Sequence, residues 1–227
     1  MLVLGFPAAA FATNCYVLAP AAGEECVVVD PGIGVVDRLA EVLAEHRLRP
    51  AAVLLTHGHV DHVYSVTPVC STHGVAAYLH GDDRYRLANP LALLDPALLT
   101  MLENQFGRTA TWAEPDDVVT LADGAALEVA GIPLTVDHAP GHTEGSVLFR
   151  IAAGTHGTET PLCLSGDVLF AGSIGRTDLA GGNHAAMLAS LATKVLPLPD
   201  ETVVLPGHGP QTTIGRERVT NPYLQGV

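Results

Sequence analysis

Short apolar blocks punctuate the chain. Leu2 to Phe6, Cys15 to Ala19, Cys26 to Val29 and Ala52 to Thr56 have the length and the aliphatic, partly β-branched content of strands. The last two are unbroken apolar runs, which predicts strands covered on both faces. Between them, Val36 to Arg47 places Val36, Leu39, Ala40 and Leu43 at helical spacing, with Asp37, Arg38, Glu41 and Glu45 opposite, and so predicts an amphipathic helix over one face of the sheet. Further strands are expected at Val75 to Leu79, Val118 to Leu121, Ala126 to Val129, Leu134 to Asp137, Ser146 to Ile151, Leu162 to Ser165 and Thr202 to Pro206, and a helix from about His184 to Val195. Two sheets with helices outside them accommodate this order.

The rhythm breaks between Gly81 and Asp117. A helix predicted around Leu91 to Leu102 mixes there with Arg84, Tyr85, Arg86, Asn89 and Trp112, and the segment reads either as an insertion or lid over a site or as a plain connection. At 227 residues with 48% hydrophobic positions, the chain suits one well-cored domain over 1–227.

Charge and cysteine content narrow the functional classes. A formal net charge of -13 with no basic run argues against a nucleic-acid partner, because displacing counterions from phosphates needs clustered Lys and Arg. Cys15, Cys26, Cys70 and Cys163 lie far apart beside apolar neighbours, which predicts buried thiols of a reduced, cytoplasmic protein and no thiolate metal site. Leu2 to Ala12 ends in a small-residue run that mimics a signal cleavage site, but no Lys or Arg precedes Arg38, so opening strands are the expected reading. No run is long enough to span a membrane.

The chemistry concentrates in Thr56-His57-Gly58-His59-Val60-Asp61-His62, directly after an apolar run. Three imidazoles and a carboxylate so close together are costly to desolvate without a cation, and they are donors that suit zinc, iron or manganese. Further candidates share one context: His142, Asp167 and His208 each follow an apolar strand beside glycine, where a rigid sheet can aim side chains into a common cleft.

His57, His59, Asp61 and His62 match the HxHxDH hallmark, and with His142, Asp167 and His208 the chain resembles the metallo-β-lactamase superfamily. Gly172-Ser173-Ile174-Gly175-Arg176-Thr177-Asp178, Pro206-Gly207-His208-Gly209-Pro210 and Arg218-Val219-Thr220-Asn221-Pro222-Tyr223 narrow the resemblance to compact glyoxalase II-like hydrolases. It implies a four-layer αββα fold of the α/β (α+β) class and two divalent metal ions, most simply zinc. One ion would take His57, His59 and His142, the other Asp61, His62 and His208, with Asp167 between them. The implied activity is hydrolysis of a small-molecule thioester of the S-lactoylglutathione type by a metal-bridging hydroxide. His57, His59 and Asp61 would be catalytic, and Asp61 could also orient the nucleophile.

Arg176 is expected near the thiol carrier, against a structural ion pair with Asp178 as the plainer reading. Tyr64 and Ser65 stand where relatives often carry paired glycines, so Tyr64 is a candidate substrate contact. Asp30 and His138 read as hydrogen-bonding support behind the ligands, and His46, His73, His80, His156 and His184 as surface or structural residues. Glutathione recognition is unsupported, since the chain ends too soon after His208 for a helical glutathione-holding domain. The rival class implied by the same motif is a persulfide dioxygenase with one iron. The presence of Asp61, His62 and His208 favours the dinuclear hydrolase.

Overall fold

The computed structural model describes residues 1–94, 96–106 and 113–226. Six strands form the first sheet in sequence order: β1 (Leu2–Pro7), β2 (Asn14–Ala19), β3 (Glu25–Val29), β4 (Arg49–Leu54), β5 (Ala77–His80) and β6 (Val118–Leu121). The first three run antiparallel, and β3 to β6 then pair in parallel. The second sheet contains β7 (Ala126–Val129), β8 (Ile132–His138), β9 (Val147–Ile151), β10 (Leu162–Gly166), β11 (Val203–Pro206) and β12 (Thr212–Thr213), in the reverse spatial order β12 to β7. Its only parallel pair among the described residues is β10 with β11.

Three apolar clusters show how these sheets stack. Val27, Val29 and Leu54 from the first sheet meet Val136, Phe149, Leu164 and Leu205 from the second, which makes the inter-sheet core. On the outer face of the first sheet, α1 (Val36–His46) and α3 (Val66–His73) bury Leu39, Leu43, Val66 and Val69 against Val28 and Val53. On the outer face of the second, α6 (His184–Ser190) and the wider π-turn at Leu191–Val195 pack Met187 and Leu191 against Leu148, Cys163 and Val204. The alternation of β2 to β4 and of β9 to β11 thus sends one set of side chains inward and the next outward, and each set finds an apolar partner. The result is the four-layer αββα arrangement.

Boundaries shift where pairing or proline intervenes. β4 starts at Arg49, earlier than its apolar run, because Glu25 of β3 pairs with Arg49. The helix expected over Leu91 to Leu102 is instead a 3₁₀ turn at Pro90–Leu93 followed by α5 (Pro96–Phe106). Pro96, lacking an N–H, is accommodated in a first turn but not in a helix interior. Trp112 lies outside the described residues. All four cysteines are free and buried. Among the described residues no helix is long and apolar enough to cross a membrane.

Candidate metal centre

Ligand-bearing turns leave both sheets at the same edge. His57 and His59 follow β4, and His59 caps the one-turn helix α2 (Val60–Val63), which holds Asp61 and His62. His142 lies in the connection from β8 to β9, Asp167 directly follows β10, and His208 stands two residues past the end of β11. His57, His59 and His142 bring one ring nitrogen each into a common cluster, and Asp61, His62 and His208 form another. Asp167 lies between them: its Oδ1 is 3.4 Å from His62 Nε2, while its Oδ2 is 3.4 Å from His142 Nε2 and 3.6 Å from His208 Nε2. Asp61 Oδ2 is 3.5 Å from His62 Nε2 and 3.2 Å from His208 Nε2.

Hydrogen bonds behind the rings determine which nitrogen faces inward. His62 Nδ1 donates to Asp30 Oδ2 at 2.9 Å, and His142 Nδ1 donates to the Arg176 carbonyl at 2.8 Å. Thr56 Oγ1 donates to Asp30 at 2.6 Å and so accepts from His57 Nδ1 at 3.1 Å; His208 Nδ1 donates to the Phe11 carbonyl at 3.2 Å. With each Nδ1 proton engaged outward, the Nε2 atoms of these four residues point into the cluster, the orientation that metal-ligating histidines adopt. Asp30, in the left-handed region at φ 49°, thereby orients two ligands at once.

Burial then shapes the protonation. Desolvation, aided by the neighbouring imidazoles, holds His57 well below the ordinary histidine range, and the same causes take His59 down to about 3. Burial also lowers His142. For Asp167 burial works upward, but His62, His142 and His208 outweigh it and hold the carboxyl below its usual range. Asp61 is held down in the same way, against its burial, by His62 and His208 and by the Thr13 hydroxyl, which donates to Oδ2 at 2.9 Å. His62 and His208 shift the other way: against desolvation, Asp61, Asp167 and Asp30 raise His62 well above the ordinary histidine range, and Asp61 and Asp167 raise His208. The centre thus pairs three neutral imidazoles with two proton-holding ones around two carboxylates, and divalent cations would take the place of those protons.

Two observations test whether these residues fit metal ions. His57 Nε2, His62 Nε2 and Asp167 Oδ1 are buried without a hydrogen-bond partner, a costly arrangement unless an electrophile meets them. His59 Nδ1 and His142 Nε2 stand 2.8 Å apart, where two bare lone pairs would repel, so a shared proton or cation is required. The unpartnered buried atoms point to cations in the cluster, and the nitrogen and oxygen donor set suits zinc, iron or manganese.

The clusters open into a cavity of about 720 Å³ lined by Phe11, Val60, Arg86, Leu94, Phe170 and Leu179 among others. Arg176 also lines it, yet its guanidinium is engaged bidentately by Asp178 at 2.7 and 2.8 Å, both side chains being exposed. Tyr64 is placed elsewhere: half-buried, it packs against the cluster of Ala10, Ile33 and Leu102 and is not among the described residues lining the cavity. The start of the 81–117 segment supplies Arg86, Pro90 and Leu94 to the wall.

His138 stacks on His80 at 3.9 Å with 13° between the planes, and its Nε2 donates to the Glu144 carbonyl at 2.7 Å. Together with Asp82 these form another group of metal-type donors. Parallel rings hold their lone pairs in parallel planes, however, and one nitrogen is already used, so the stack reads as packing that ties the His142 turn to β5. Thr13, Asp83 and Arg86 were not anticipated from sequence. The only signals were a polar Thr13-Asn14 pair between apolar runs and the charged Asp82-Asp83-Arg84 after a strand.

The chain matches the sequence profile of the Metallo-beta-lactamase superfamily over residues 8–208. It is 47% identical over 228 residues to an uncharacterized protein of Mycobacterium tuberculosis, covering 100% of this chain and 99% of that protein. It is 34% identical over 221 residues to the hydroxyacylglutathione hydrolase GloC of Haemophilus influenzae, covering 96% of this chain and 95% of that one. Among solved structures, it is similar to the BLEG-1 B3 metallo-beta-lactamase (TM-score 0.79, 40% identity, 99% of this chain and 100% of that one). A second similar structure is TTHA1623 in a di-iron-bound form (TM-score 0.77, 35% identity, 98% and 100%).

Proposed function

The chain belongs to the metallo-beta-lactamase superfamily, and from that membership and the geometry of its centre we propose that it is a dinuclear metallohydrolase of small-molecule thioesters, of the S-lactoylglutathione type. The observation that carries the reading is Asp167, whose two carboxylate oxygens face ligands of both clusters. His57, His59 and His142 would hold one ion and Asp61, His62 and His208 the other, with Asp167 reaching both. Bound divalent ions supply a carbonyl-polarising charge and a water of lowered pKa. Zinc is the first choice of metal, and the likeness to a di-iron protein makes iron the chief competitor.

The chain's own groups do the rest. Asp61, held ionised and already accepting from Thr13, is placed to accept a hydrogen bond from a nucleophilic water and orient it. Phe11, Val60, Phe170 and Leu179 line the space for the acyl group, and the Pro90 to Leu94 stretch serves as a cover. A thiolate leaving group needs little acid assistance, because a thiol's pKa is near 8.5; the cavity lining is consistent with this, its other polar side chains being metal-ligand candidates or already ion-paired. The free, buried thiols support a reducing, cytoplasmic location for this activity.

The deciding experiment pairs elemental analysis with turnover of S-lactoylglutathione, other thioesters, a β-lactam and a persulfide. Two metals per chain with rapid thioester hydrolysis is expected. Faster β-lactam cleavage, or a single iron with oxygen uptake on the persulfide, would overturn the proposal. Arg176 is assigned to the thiol carrier through its place on the cavity wall. Arg176→Ala is expected to raise KM by roughly 3- to 10-fold with kcat unchanged, a modest effect because the group is exposed and already paired. An unchanged KM across thioesters leaves Arg176 a surface ion pair with Asp178.

A further inference from the structure

The residues just after β5 carry a buried charge network that touches no metal donor. Asp83 is wholly buried. Its Oδ2 accepts the Gly58 N–H and the Thr143 hydroxyl, each at 2.7 Å, and its Oδ1 accepts the Gly145 N–H at 2.9 Å. Arg86, 1% exposed and on α4 (Arg84–Ala88), faces the same carboxylate with Nε 3.3 Å from Oδ1. Its Nη2 donates to Glu144 Oε2 at 2.7 Å and to the Ala180 carbonyl at 2.6 Å.

Gly58 separates His57 from His59, and Thr143 follows His142. Through one carboxylate, then, the turn after β4 in the first sheet is bonded to the turn after β8 in the second. These two turns carry all three donors of the first cluster. The fit is close enough to dictate residue size on both sides: a Cβ at Gly58 would fall 2.7 Å from Arg86 Cβ, and one at Gly145 would fall 2.7 Å from Asp83 Cβ and Cγ. Glycine at each position lets the carboxylate reach the backbone.

We propose that Asp83 is a positioning residue that sets the separation of His57 and His59 from His142, with Arg86 as its buried counter-charge. The proposal rests on reading the cluster as a metal centre. Desolvating a carboxylate is costly, and here the cost is offset by charge-assisted bonds whose donors all belong to ligand-bearing turns or face them. Groups that orient ligands in this way typically govern metal affinity by about 10- to 100-fold. Asp83 also makes the beginning of the 81–117 segment a structural post of the centre, distinct from any movable cover further along.

The test uses the full chain stripped of metal and titrated with Co²⁺ alone, read by its visible ligand-field absorption. Asp83→Asn keeps the shape but turns an amide NH₂ toward the converging donors. Its Co²⁺ affinity should fall by about 10- to 100-fold, with an altered spectrum. Because that change also leaves Arg86 without its carboxylate, Thr143→Val is the second variant: it removes one donor at nearly constant volume and should weaken Co²⁺ binding several-fold while the metal-free melting temperature stays near wild type. A folded Thr143→Val protein with wild-type Co²⁺ affinity and spectrum would overturn the proposal. Loss of affinity in the variants supports it even where no thioester is hydrolysed, so this inference and the substrate reading fail separately.

Discussion

Asp167→Ala is expected to lower kcat/KM for the thioester by at least ~10³-fold, equivalent to about 4 kcal/mol of transition-state stabilisation, and to lower the bound metal below two equivalents. The magnitude follows from position. Each cluster supplies three protein donors of its own, and Asp167 is the one group whose oxygens reach His62, His142 and His208 together. Removing it takes a negative charge from among the imidazoles, which weakens attraction for any divalent cation placed there. The fold should survive, since the ion-pair partners of this carboxylate are histidines of the centre and its residue lies beyond the end of β10. Circular dichroism and metal-free melting provide that control. Retention of more than about a tenth of wild-type turnover at unchanged metal content would refute the role of Asp167 and with it the two-ion reading.

Phe149→Ala carries the largest expected cost in stability. Phe149 on β9 is fully buried between the two sheets, in the cluster that also contains Val29, Leu54, Val136 and Leu164. Truncating a buried phenyl costs about 3–5 kcal/mol, because the lost transfer energy adds to that of a cavity the sheets cannot close. For a chain of this size that is a fall in melting temperature of roughly 6–20 °C. Calorimetry on metal-free protein is the appropriate measurement, since bound ions add a stabilisation of their own. A shift of less than about 2 °C would mean that the sheets repack, and that the inter-sheet core is not what holds the ligand turns in register.

Local pattern revealed the elements wherever one residue's neighbours in sequence are also its neighbours in space. The runs Cys26 to Val29 and Leu162 to Ser165 became buried strands, and Val36 to Arg47 became a helix on an outer face, because apolar periodicity alone decides which side of an element leaves water. The candidate donors that the structure gathers were legible for a related reason: His57 to His62, His142, Asp167 and His208 are polar groups set in the turns that follow apolar strands. Boundaries were less legible. Pro96 restarted a helix that periodicity ran continuously, and β12 is too short to register in any pattern.

Tyr64 shows the limit from the other direction. Its place next to the ligand motif suggested a substrate contact, but helical geometry turns it toward Ile33 and Leu102. Thr13, Asp83 and Arg86 were invisible for want of any local signature, their partners lying 48, 60 and 58 positions away at Asp61, Thr143 and Glu144.

By itself the sequence determined the layered α/β fold, the donor types and the strand ends from which they project, because these depend on side-chain chemistry and on hydrophobic periods of a few residues. Only the tertiary structure decided that Asp167 faces both clusters, which nitrogen of each histidine points inward, and that Asp83 bonds the turns of two sheets together. Those are distances of about 3 Å between groups far apart in the chain, and packing of the whole molecule is what sets them.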